Sequence, residues 1–93
     1  MPYYVYILQS IVDGSYYKGF SEDPILRLQR HNNGESTYTR TKIPWHFVYI
    51  EMAPSKKEGL IREKALKKYS HEQIRQLITS QKNQLKNLLG SVD

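Results

Sequence analysis

Cysteine is absent from this 93-residue chain, which excludes a disulfide framework and any zinc site built on thiolates. That absence accords with a reducing compartment. No apolar stretch approaches the ~18 residues that span a bilayer. The opening Met1-Pro2-Tyr3-Tyr4 has neither the basic start nor the small-residue cleavage site of a secretory signal. The expectation is a soluble cytoplasmic protein without a membrane partner. Internal repeats and low-complexity tracts are also missing. A chain this short supports one compact domain and no second one. Acidic side chains are the minority, 9 against 14 Lys and Arg, for a net charge of +5. Excess positive charge favours a polyanionic partner, nucleic acid before anionic membrane. The carboxylates argue against a protein that merely coats DNA, because each one near a basic face repels phosphate.

The remaining pattern is that of a small α/β domain. Tyr3 to Gln9 is rich in aromatic and β-branched residues and predicts a strand. Val5 and Ile7 fall on one face, and Tyr4, Tyr6 and Leu8 on the other. Asp13-Gly14 signals a hairpin turn, and Ser15 to Phe20 the returning strand. A helix follows, capped by Ser21 or Asp23 with Pro24 in its first turn, running to about Asn33 and stopping at Gly34. Ile25 and Leu28 supply its apolar stripe, and Arg27 and His31 share another face at i, i+4. Glu35 to Ile43 reads as an exposed polar loop. Trp45 to Glu51 predicts a third strand.

Ser55 and Glu58 frame a capping box for a second helix to about Tyr69, with Leu60, Ile61, Ala65 and Leu66 as a broad apolar face and Glu63 at its edge. Ser70 and Gln73 frame a third helix with Ile74, Leu77 and Ile78 inward. Leu85, Leu88 and Leu89 extend it or form an amphipathic tail, and Gly90 to Asp93 fray. The predicted fold class is α+β, a three-stranded antiparallel sheet flanked by helices in the order β-β-α-β-α-α. Residues 1–80 form the domain, and 81–93 a helical or flexible tail.

Eight tyrosines are the conspicuous feature. A tyrosine cluster fills a core rim, stacks on bases or places phenol oxygens in a polar cleft. Tyr4-Val5-Tyr6 on the first strand and Tyr17-Lys18-Gly19 on the second resemble the paired motifs of the GIY-YIG nucleases. Arg27 lies ten residues after Tyr17 in a capped helix, His31 one turn later, and Glu63 in a later helix. The segment from Tyr3 to Ile78 resembles the short stand-alone members of that superfamily, related to the nuclease domain of the excision-repair enzymes. Two departures stand out. Phe20 and Ser21 occupy the place of the lysine that follows the glycine in the excision-repair enzymes, and the late asparagine has no counterpart between Lys67 and Gln73.

The resemblance implies a metal-dependent endonuclease that hydrolyses phosphodiester bonds in DNA, in preference to RNA, on structured substrates in repair or recombination. Its catalytic set is Tyr6, Tyr17, Arg27, His31 and Glu63. The chemistry suits those residue types. Phosphodiester hydrolysis needs a positioned nucleophile and stabilisation of the phosphoryl oxygens. Mg²⁺ or Mn²⁺ held by the single carboxylate of Glu63 suffices, because a hard cation keeps several waters. Arg27 clamps a phosphate oxygen through its planar fork. Tyr6 or Tyr17 orients or deprotonates the attacking water, and His31 is the rival base.

Each residue also has an ordinary use. Glu63 pairs with Lys67 at i+4, Arg27 is a solvated helix residue, His31 favours the end of a helix dipole, and Gly19 serves close packing. The nucleic-acid contacts expected around the site are Lys18, Arg30, Arg40, Lys42, Arg62, Lys64 and Lys67, giving salt-sensitive, sequence-tolerant binding. The alternative is a catalytically weak nucleic-acid-binding module on the same fold. A weak homodimer through the C-terminal leucines is a third reading.

Overall fold

The computed structural model describes residues 2–89. Strands β1 (Tyr3–Ser10), β2 (Tyr16–Ser21) and β3 (Trp45–Ala53) form one antiparallel sheet in the order β2-β1-β3. Helices α1 (Pro24–Asn32), α2 (Lys56–Leu66), α3 (His71–Ile78) and the short α4 (Leu85–Leu89) complete it, with a 3₁₀ turn at Arg40–Lys42. The expected α+β order is present.

Val5, Tyr6, Ile7 and Leu8 are four consecutive, fully buried residues. A central strand covered on both faces requires that pattern. Val5 and Ile7 pack with Tyr49, Leu66, Ile74 and Leu77 beneath α2 and α3. Tyr6 and Leu8 pack with Trp45 and Ile50 beneath α1 and α4. The pairing of β1 with β3 shifts by one residue between Ile7 and Leu8, so that Ile7 faces Tyr49 and Leu8 faces Phe47. A one-residue shift exchanges the faces of a strand. It lets Phe47 meet Tyr6 edge-on at 6.0 Å while Tyr49 is buried on the opposite side.

Helix α1 is capped by Asp23, whose Oδ1 accepts from Leu26 N–H at 3.0 Å, and Gly34 reverses the chain beyond its end at φ +78°. Its inward face differs from the expected apolar stripe. Pro24 and His31 are buried, Arg27 and Leu28 partly so, and Ile25 is 51% exposed. The cap and inward-facing Pro24 set the helix rotation, and this turns Arg27 and His31 toward the sheet.

The expected apolar face of α2 is likewise corrected. Leu60 and Ile61 are 43% and 60% exposed, and the buried residues are Gly59 and Leu66. A Cβ at Gly59 would lie 2.3 Å from Phe20 Cε1, so the helix backbone itself rests on the β2 ring. A hydrophobicity wheel misses such a contact because glycine contributes no apolar side chain. The helix stops at Leu66, short of the expected Tyr69. Ser70 and Gln73 form the complete reciprocal cap of α3.

After α3 the chain crosses the free edge of β3. Asn83 Nδ2 donates to Val48 O at 2.9 Å, and Gln84 N–H donates to Ile50 O at 2.8 Å. A covered edge cannot pair with another strand. Leu85, Leu88 and Leu89 then pack on the cluster around Tyr6 and Trp45, so these leucines are engaged within the chain. The expected fraying of Gly90 to Asp93 falls outside the described residues. Among those described, no helix is long and apolar enough to cross a membrane.

Candidate active site

Tyr6 projects from the middle strand toward the α1 side and is fully buried. Its ring lies over Gly19 of β2: a Cβ there would sit 2.3 Å from Tyr6 Cζ. Its hydroxyl is buried without a hydrogen-bond partner among the described residues. Burial pushes the Tyr6 phenol well above the ordinary tyrosine value, Arg27 pulls it down, and Tyr17 and Glu63 push it up. Tyr6 is therefore a neutral phenol at neutral pH.

Tyr17 is half-buried on β2, the edge strand. It meets His31 edge-on, with ring centroids 4.7 Å apart, and Tyr38 and Trp45 stand around the same ring. Arg27 and Arg30 separate two open clefts. One, of about 280 Å³, is bounded by Tyr17, His31, Glu35 and Ser36. The other, of about 350 Å³, is bounded by Tyr3, Phe20, Asp23, Leu26 and Lys56.

His31 is 4% exposed. Its Nδ1 lies 2.8 Å from Thr39 Oγ1, and its Nε2 is buried with no partner among the described residues. Burial and the neighbouring Arg27 charge hold the imidazole below the ordinary histidine range, which leaves it neutral at pH 7. The end of α1 is stitched to β3: Trp45 N–H donates to Asn32 Oδ1 at 2.7 Å, and Asn32 Nδ2 returns a bond to Trp45 O at 3.0 Å. The Trp45 indole donates to Thr39 O at 2.9 Å. Thr39 is fully buried, so the segment expected as an exposed loop has its middle in the core. Sequence reasoning missed Thr39, Asn32 and Trp45 as supports of the site. The signal for Trp45 was the buried indole's need for an acceptor; Asn32 and Thr39 carried none.

Glu63 comes from the other layer. α1 and α2 touch β2 from opposite sides of the sheet, and the charges of Arg27 and Glu63 both act on the Tyr6 phenol. The Glu63 side chain is 19% exposed and pairs with Lys67 at 3.5 Å. It does not line the Tyr17–His31 cleft. The structure thus brings Tyr17, Arg27 and His31 to one opening, buries Tyr6 in the cluster that Tyr17 joins, and leaves Glu63 on the other layer, its charge acting on the Tyr6 phenol.

The seven expected nucleic-acid contacts are scattered. Arg30 borders both clefts, and Arg40 and Lys64 are exposed. Lys42 bridges Asp13 at 3.6 Å and donates to Ser15 Oγ, bracing the hairpin. Lys67 holds Glu63. Lys18 stands opposite Ile7, away from Tyr17, and burial lowers its ammonium pKa. Arg62 donates to Glu51 at 3.1 Å and lies 6.0 Å from the Tyr69 ring, within a cluster completed by the Tyr49 hydroxyl on Glu51.

Among the described residues no group of three His, Cys, Asp or Glu side chains gathers to hold a metal. A cation that demands several protein ligands does not fit. The donors available, the single carboxylate of Glu63 and the unpartnered phenol oxygen whose proton affinity its charge raises, fit a hard cation that retains most of its water.

Residues 2–76 match the GIY-YIG catalytic domain. This chain belongs to the GIY-YIG family. Family membership gives it a nuclease-type fold, from a family of endonucleases that generally use divalent metals. UPF0213 proteins of Staphylococcus aureus, from strains Mu3 and N315 among others, are 39% identical over 77 residues, 82% of this chain and 93% of theirs. A solution NMR structure of the UPF0213 protein BH0048 from Bacillus halodurans has 33% identity and a TM-score of 0.58. The match covers 98% of this chain and 100% of that one. This GIY-YIG chain therefore groups with stand-alone members of the family, as its sequence implied.

Proposed function

We propose that this chain is a metal-dependent endonuclease that hydrolyses phosphodiester bonds in DNA. One observation carries the reading. The buried side-chain polar atoms without partners among the described residues are Tyr6 Oη and His31 Nε2, both in the set nominated from sequence. An unpaired buried polar atom costs about 1–3 kcal/mol, and a site that meets a polar substrate is where that cost is tolerated.

Arg27 clamps the phosphoryl group from the rim of the cleft. The neutral His31 imidazole accepts a proton through Nε2, from the attacking water or from Tyr17 in contact with it. Tyr6, kept protonated, donates a hydrogen bond to a phosphoryl oxygen. Glu63 is the carboxylate that holds Mg²⁺ or Mn²⁺, which when bound supplies charge stabilisation to the phosphate. Arg30 and Arg40 extend the phosphate contacts, giving a salt-sensitive affinity. A cytoplasmic setting and a role in repair or recombination accord with a cysteine-free nuclease acting on DNA.

The test is cleavage of single-stranded, nicked, branched and duplex DNA, with RNA alongside, in Mg²⁺ or Mn²⁺. Metal-dependent cutting that disappears in Glu63→Ala is expected. Equal background from both proteins would sink the catalytic reading. The ion pair of Glu63 with Lys67, away from the cleft wall, favours the rival reading, a module that binds nucleic acid and cuts poorly. Salt-dependent binding without turnover is its signature.

A further inference from the structure

We propose that Thr39 is a positioning residue that holds His31 as the Nδ1–H tautomer, leaving the buried Nε2 as the unprotonated, basic nitrogen of the ring that meets Tyr17. The proposal rests on the reading of His31 as proton acceptor and assigns the device that keeps it competent.

A neutral imidazole carries its single proton on one nitrogen, and the partner of the other nitrogen decides which face can accept. Among the described residues one of the two His31 nitrogens has a partner: Nδ1 lies 2.8 Å from Thr39 Oγ1, and Nε2 has none. A hydroxyl both donates and accepts, so this contact alone leaves two tautomers. The surroundings select between them. Arg27 and Tyr17 border the same cleft as His31. An orphaned buried N–H is rarer in folded proteins than an orphaned acceptor, so the unpartnered Nε2 is better left as a lone pair than as a donor. The Tyr17 ring packs edge-on against the imidazole, with centroids 4.7 Å apart, and its hydroxyl does not satisfy Nε2. Nδ1–H donating to Thr39 Oγ1 satisfies the inner face and leaves Nε2 basic.

Thr39 is itself fixed. Its carbonyl accepts from the Trp45 indole at 2.9 Å and from Lys42 N–H at 3.1 Å, and its side chain is fully buried. Trp45 is anchored in turn by both amide atoms of Asn32, the residue after His31. The loop expected to be exposed thus closes a ring of contacts back onto the helix that carries His31. A side chain oriented through a partner in this way loses activity when that partner is removed, even though the partner touches no substrate.

The experiment records the imidazole ¹⁵N signals of uniformly labelled protein at neutral pH, for wild type, Thr39→Val and Thr39→Ser, with steady-state cleavage of a DNA oligonucleotide in Mn²⁺ alongside. Wild type and Thr39→Ser should show His31 protonated at Nδ1. Thr39→Val, nearly isosteric, should show a mixture of tautomers and a kcat lower by about tenfold or more, with KM little changed. A wild-type His31 protonated at Nε2 overturns the proposal. So does a Thr39→Val spectrum identical to wild type. The wild-type and Thr39→Ser spectra decide the question if Thr39→Val does not fold. If wild type cuts no DNA, the nuclease reading fails, and the spectra alone decide whether Thr39 sets the tautomer.

Discussion

Tyr6 and Gly19 are in such close contact that a β-carbon at position 19 would fall 2.3 Å from Cζ and 2.4 Å from the phenol oxygen of the ring above it. Tyr6 is fully buried, so its ring has nowhere to retreat without disturbing Phe47. Gly19→Ala should destabilise the fold by roughly 1–3 kcal/mol. Urea unfolding measures it. A midpoint equal to wild type would show that the ring moves freely, contrary to the packing described.

Replacing Glu63 by glutamine keeps its shape and removes its charge. Turnover should fall on the order of 10²-fold or more, the scale of losing a dominant electrostatic contact in a transition state, while affinity for DNA is retained. Nicking of a plasmid in Mg²⁺ with a parallel binding titration separates the two quantities. Loss of binding in step with cutting would assign Glu63 to structure or to substrate contact.

The depressed pKa of His31 ties stability to pH. The unfolded chain, with an ordinary value of 6.5, takes up the proton at a higher pH than the folded one. The contribution of His31 is therefore fully present above about pH 6.5, and it is lost as pH falls through the depressed folded value. Urea midpoints for wild type and His31→Gln between pH 7.5 and 5 should converge as pH drops. A constant gap would mean that folding leaves the proton affinity of His31 unchanged.

The corrected face of α2 makes a paired prediction. Ile61→Asp, at a 60% exposed position, should shift stability by no more than about 0.5 kcal/mol. Leu66→Ala, fully buried, should cost about 2–5 kcal/mol. Thermal melts of the two variants check it, and a large loss from Ile61→Asp would restore the hydrophobicity wheel.

Asn83 bonds Val48 O, Ile78 O and, at 3.3 Å, Ile50 N–H. Asn83→Ala should cost about 1–3 kcal/mol, because partly buried backbone groups on the β3 edge lose their partner. Hydrogen exchange at Ile50 is the sharper readout: protection unchanged from wild type would remove Asn83 from its place on that edge.

Local signals carried most of the fold. The Tyr3 to Gln9 alternation, the Asp13-Gly14 turn and the caps at Asp23, Ser55 and Ser70 act within a few residues of where they stand, and each element they announce is present. Helix faces were less legible. In α1 and α2 the inward positions include Pro24, His31 and Gly59, residues that hydrophobicity scales rank low. Their burial follows from the shape of the neighbour they meet.

The sequence by itself determined the element order and the opposite faces of Val5 and Tyr6, and it nominated Tyr6, Tyr17, Arg27, His31 and Glu63 as the candidate set, because periodicity, capping and motif spacing are properties of the covalent chain. Only the tertiary structure decided that Thr39 lies in the core against His31 Nδ1, that Tyr6 rests on Gly19, and that the charge of Glu63 acts on the Tyr6 phenol from a helix of the opposite layer. Those relations join residues eight to fifty-odd positions apart, and no local preference encodes them. They follow from how two helical layers close on one sheet, where burial, van der Waals exclusion and the field of nearby charges act without regard to chain order.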